Sequence, residues 1–163
     1  MSAMRPHIGG QSDWLQSLRR FGVYTVAGHL LWEIGHVPLY TIWTEGSWGE
    51  IAFAVLHCTG GDLLIAMSTL LLALFAAGSC SWPEERCGVV LLTLIPLGVG
   101  YTIFSEWLNI VVREAWAYRE AMPIIPLVDA GLTPVLQWLV IPALAYCAAL
   151  KRWPWLRQEA AHA

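Results

Sequence analysis

"GVVLLTLIPLGVGYTIFSEWLNIVV", residues 88–112, contains a single acid, Glu106, and no base. A buried strand ends after about 4–8 residues, whereas a helix needs about 20 apolar residues to cross the hydrocarbon of a bilayer. The stretch is therefore a membrane-crossing helix, and its length decides the fold class. Three further runs have the same character: Phe21 to Trp43, Ile51 to Gly78 and Gly131 to Leu150. No ten-residue segment alternates with period two, as a membrane barrel would require. The expectation is an all-α integral membrane bundle of four transmembrane helices, one domain over residues 1–163.

Composition agrees. The chain is 57% hydrophobic and 13% charged, against roughly 25% charge in an ordinary soluble domain. Net charge is −3 with no basic block, so nucleic acid is excluded as a partner. The first twenty residues are polar, and no cleavable leader is expected. The four cysteines form no CxxC motif and read as ordinary thiols. Residues 7–20 are expected to lie on the membrane surface as a short helix, with Trp14, Leu15 and Leu18 on one side.

Basic residues choose the orientation. Arg5, Arg19, Arg20, Arg86, Lys151, Arg152 and Arg157 fall on one side of the spans, Arg113 and Arg119 on the other. Both termini are thus expected in the cytoplasm. Trp43, Trp48, Trp116, Trp153 and Trp155 sit near span ends as an aromatic belt.

The polar residues within the spans are costly in hydrocarbon, about 2.5–3.5 kcal/mol for an acid at the centre of a helix, and so mark a site. In "HLLWEIGH", residues 29–36, His29, Glu33 and His36 share one helical face, which continues to Tyr40. Val26, Leu30, Ile34 and Val37 form the opposite face, toward lipid. Pro38 should kink this helix near its outer end. The second run carries His57 and Asp62 around Gly60-Gly61, glycines that would admit a close neighbour. The third carries Thr102, Glu106, Asn109 and Arg113, with a kink expected at Pro96. The fourth carries Thr133, Gln137 and Trp138. The simplest pairings are His29 with Glu33, and Glu106 with Asn109 or Arg113. Together these groups describe a polar cavity inside the bundle.

"GHLLWE" in the first span, "YTIFSEWLN" in the third and "QWLVIP" in the fourth resemble the emopamil-binding protein superfamily (EXPERA), small helical membrane proteins that include sterol isomerases. The layout also resembles small proteobacterial inner-membrane proteins. The sterol isomerases carry a His-x-x-x-Glu on one helix, a second Glu two helices later and a Trp on the last. These motifs match His29, Glu33, Glu106 and Trp138. Where the isomerases have an Asn three residues before the Trp, this chain has Val135, with Gln137 nearby, and it lacks their additional first helix. The resemblance implies a proton-transfer isomerase or cyclase for a sterol- or terpenoid-like hydrophobic substrate. Glu33 would be the acid, tuned by His29, and Glu106 would steady the cation or take the second proton. Trp32, His36, His57, Asn109, Gln137 and Trp138 would line the substrate site. No cofactor is implied.

Two other readings stay open. His29, Glu33, His36 and His57 are acceptable transition-metal ligands, and His29 or His36 with His57 could hold a haem. The same cavity could also serve a non-catalytic lipid binder or an assembly subunit of a membrane complex.

Overall fold

The structure, a computed structural model, describes residues 9–77 and 82–151. Arg5, Arg152, Arg157, Trp153, Trp155 and Cys80 lie outside the described residues. The chain is mostly helical: α1 (Gly9–His36), a 3-10 turn (Val37–Leu39), α2 (Ile42–Glu45), α3 (Trp48–Ala77), α4 (Cys87–Trp107), a π-helical turn (Leu108–Val112) and α5 (Leu132–Ala149). A two-stranded ribbon, β1 (Ile124–Ile125) with β2 (Ala130–Gly131), lies between the last two. Among the described residues, α3, α4 with its π turn, and α5 are long and apolar enough to cross a membrane. Helix α1 is long enough but carries His29, Glu33 and His36, which lower its apolar character.

The four long helices form a ring. α1 packs against α3 and α5, and α4 packs against the same two, leaving α1 and α4 diagonal across the interior. Leu31, Leu64, Phe75 and Leu92 point outward, fully unlike the surface of a soluble protein and suited to lipid. The buried stripe of α1 is Ser17, Phe21, Thr25, His29, Glu33 and His36, one residue per turn. On α3 it includes Thr59, Ala66, Thr69, Ala73 and Ala77, small side chains that let helices approach closely without a hydrophobic drive between them. At the end of the bundle where α4 begins, Phe21, Trp82 and Tyr146 pack together. The Trp82 indole donates to Tyr146 Oη (2.7 Å), and that hydroxyl donates to the Cys87 carbonyl (3.1 Å).

Several boundaries differ from the sequence expectation. Residues 9–20 are the first turns of α1 rather than a separate surface helix, and Trp14 and Leu18 pack on the bundle core while Leu15 stays exposed. Nothing between residues 9 and 36 forces a break, so helix propagation continues. Pro38 ends α1 instead of kinking it, because proline lacks the amide hydrogen and disfavours helical geometry in the residue before it. The carbonyls around it are taken up by the segment between the π turn and α5: Arg119 donates to Pro38 O (2.7 Å) and Leu39 O (2.9 Å), while Thr41 N donates in return to Ala117 O (3.0 Å). Helix α4 passes through Pro96 without ending. Helix α3 starts three residues earlier than expected. Ser47 and Glu50 form a reciprocal cap, with Ser47 N donating to Glu50 Oε2 (2.8 Å) and Glu50 N to Ser47 Oγ (3.3 Å). Val37 is buried against Ile51 and Val55 and does not face lipid. Gly60 and Gly61 have open space where a side chain would be, so no neighbour uses them for close approach. The helical glycines that do so include Gly98, which lies against the Trp138 ring, and Gly28, which lies against Ile141.

Candidate functional site

The interior polar groups stack in layers along the ring. In the deepest, α1 supplies His29, α3 supplies Asp62 and α5 supplies Gln137 and Trp138. His29 Nδ1 lies 3.0 Å from Asp62 Oδ2 and 2.8 Å from Gln137 Nε2. The same amide nitrogen lies 3.1 Å from Asp62 Oδ2 and 3.0 Å from Glu33 Oε1. The Trp138 ring sits 5.1 Å from the His29 ring, centre to centre. His29, Gln137 and Trp138 are sealed from solvent, and Glu33 nearly so.

One turn further along α1, Glu33 Oε2 meets His36 Nε2 at 3.1 Å, and His36 Nδ1 meets Thr133 Oγ1 of α5 at 3.3 Å. The Thr133 hydroxyl donates weakly to the Met122 sulfur (3.3 Å). Above this, Tyr40 packs edge-on to His36 with centroids 5.4 Å apart, and its hydroxyl reaches Glu106 Oε2 at 3.5 Å. Tyr118, from the segment between the π turn and α5, donates to the same Glu106 oxygen and accepts from Gly131 N (2.8 Å). Burial pushes the Tyr118 phenol above its ordinary pKa, and the Glu106 carboxylate adds to the shift. Polar contacts, joined between His36 and Tyr40 by a ring-edge contact, thus run from Asp62 to the loop that carries Tyr118 and draw on all four long helices.

A groove of about 450 Å³ opens on the outside of the bundle between α1 and α5. Its walls include Gly28, Leu31, Trp32 and Ile141, and its polar end is His36 with Thr133. The volume falls within the range of small-molecule sites, about 300–1,000 Å³.

The structure brings together His29, Glu33, His36, Gln137 and Trp138, as the helical spacing implied, and adds Glu106 through Tyr40. The pairings differ from the simplest expectation. Glu33 binds His36 and Gln137, while His29 is held by Asp62. Glu106 binds Tyr118 and Tyr40, not Asn109 or Arg113. Asn109 is buried, but its amide donates to Ser105 O (2.9 Å), and its carbonyl faces Arg113 at 3.5 Å. His57 is not part of the cluster: it is exposed on the outer face of α3, stacked on Phe53 at 5.5 Å. Trp32 borders the groove rather than the buried cluster. The four residues weighed as metal or haem ligands are accordingly not gathered, since His57 faces away from His29, Glu33 and His36. Among the described residues no three His, Cys, Asp or Glu side chains converge as a metal-ligand group.

Tyr118 is the residue that sequence spacing missed, and Asp62, placed among the polar groups of the cavity, was given no partner or role. Asp62 lies five positions after His57, so the pair does not share a helical face, and with His57 outward Asp62 turns inward. Tyr118 lies in an irregular segment where no periodicity points to it. Tyr118 does pair as an isolated bridge with Tyr40, already identified on the polar face of the first span. No family model, no curated protein and no solved structure matches the chain.

Proposed function

We propose that the protein is a four-span bundle of a bacterial inner membrane, both termini cytoplasmic, that moves protons to and from a sterol- or terpenoid-like substrate as an isomerase or cyclase. The observation that carries the reading is His36. It forms the polar end of a groove on the outside of the bundle, and behind it lies a buried carboxyl at 3.1 Å. The resemblance of "GHLLWE", "YTIFSEWLN" and "QWLVIP" to the sterol isomerases supports the same chemistry.

Glu33 and His36 together hold one transferable proton, drawn either as acid with neutral imidazole or as an ion pair. An alkene in the groove takes that proton from the His36 end, and a carbocation forms on the neighbouring carbon. Loss of a different proton from the substrate restores an alkene one position along. One proton is added and one removed, so no oxidant or reductant is needed. Low-dielectric surroundings keep water from trapping the cation. Glu106, with its charge close to Tyr40 and His36, is the second carboxylate that can steady the cation or receive the proton.

The test is deuterium incorporation into candidate lipids in D₂O by the purified protein in lipid nanodiscs. Glu33→Gln retains size and hydrogen bonding but removes the transferable proton, so turnover should fall by at least about 10²-fold. Equal incorporation by both proteins rejects Glu33 as the acid. Retained ligand affinity with no incorporation by either makes the groove a binding site only. For the topology, a cysteine at position 45 should react with impermeant reagent from outside the cell and one at position 160 only from within.

A further inference from the structure

Gln137 Nε2 carries two hydrogens, yet three acceptors lie within bonding distance: His29 Nδ1, Glu33 Oε1 and Asp62 Oδ2. One of the three must be satisfied otherwise. If His29 Nδ1 carries a hydrogen, it donates to Asp62 at 3.0 Å, the amide serves the two carboxylates, and the 2.8 Å approach of Nδ1 to Gln137 Nε2 is a contact between two donors rather than a hydrogen bond. If the amide is turned about, its oxygen sits beside Nδ1, and Nδ1 must again donate. With Asp62 ionised, a bare Nδ1 would face the carboxylate lone pair to lone pair at 3.0 Å. The other ring nitrogen, Nε2, is buried without a hydrogen-bond partner. An unpaired acceptor is tolerated in an interior better than an unpaired N–H.

We propose that Asp62 is a positioning residue that fixes His29 as its Nδ1–H tautomer, leaving Nε2 as a bare base inside the bundle. The arrangement is that of histidines oriented by a carboxylate for proton transfer or ligation. A proton is a group that this lone pair can take. The resulting imidazolium would lie beside the Asp62 carboxylate and 5.1 Å from the tilted Trp138 ring, with Glu33 one turn away through Gln137. Resting on the proton-transfer reading above, this makes His29 the store for a second proton, separate from the Glu33–His36 pair at the groove. The tautomer itself does not depend on that reading.

The experiment is ¹⁵N-histidine NMR of the full chain in nanodiscs, with the His29 signals assigned by their loss in His29→Gln. Wild type should show the downfield resonance of a bare nitrogen at Nε2 and a protonated Nδ1. In Asp62→Leu the Gln137 amide has two hydrogens for the two remaining acceptors, Glu33 and His29 Nδ1, so the tautomer should invert to Nε2–H. A residue that only filled space would leave the tautomer unchanged. A protonated Nε2 in neutral wild-type His29 overturns the proposal, and so does an unchanged tautomer in folded Asp62→Leu. If that variant fails to fold, the wild-type spectrum alone decides. Absence of deuterium turnover with the expected spectrum would reject the proposed reaction and leave the Asp62–His29 assignment standing.

Discussion

Gly98→Ala should destabilise the bundle by about 1–3 kcal/mol, the usual cost of overpacking a well-filled interior. The new Cβ would overlap the six-membered ring of Trp138 at Cε3 and lie 2.7 Å from Cζ3, where ordinary contact begins at 3.4 Å. Trp138 is only 2% exposed and lies against His29, so the indole has no free space to retreat into. Alanine is the better helix former by about 0.8–1.0 kcal/mol, and that gain offsets part of the strain. Gly60→Ala isolates the propensity term, because nothing lies within 4 Å of its Cβ position. Reversible unfolding of both variants in the same detergent would measure the difference. Gly60→Ala should match or exceed wild type while Gly98→Ala falls below it. Equal stability of the two would show that Trp138 is loosely held and that the α4–α5 contact at Gly98 is not tightly packed.

Tyr118→Phe removes a donor to Glu106, and the wild-type advantage should depend on pH in one direction. The folded-state pKa is raised, so the tyrosine's contribution is complete below the unfolded pKa of about 10 and declines as pH rises above it. Unfolding measured from neutral to strongly alkaline pH checks this, and an advantage that grows with alkalinity would contradict it. Trp82→Phe should cost about 2 kcal/mol, from the lost 2.7 Å bond to Tyr146 and the buried volume removed with the indole. Thermal melts of this variant beside Tyr146→Phe, which loses the same bond, test whether the two effects overlap rather than add.

Helical spacing in one span was enough to assemble half of the site. His29, Glu33 and His36 recur every third or fourth residue, and a helix that long has little choice but to aim them along one line. Gln137 and Trp138 were recognisable because amides and indoles inside an apolar run have few uses other than facing protein. Partner choice was not legible, because it depends on which helices become neighbours. His29 is nearer Glu33 in sequence, yet α3 packs beside α1 and brings Asp62 to within 3.0 Å. The same packing turns His57 outward, since 140° of rotation separates residues five apart on a helix and only one of the pair can face the interior. Glu106 illustrates a different limit. Its neighbours in sequence, Asn109 and Arg113, offered plausible partners, but the break at Pro38 lets the loop containing Tyr118 fold back over the C-terminal end of α1. A proline read as a kink was in fact the opening through which a distant tyrosine reaches a buried carboxylate, so that half of the site belongs to the loop as much as to the spans.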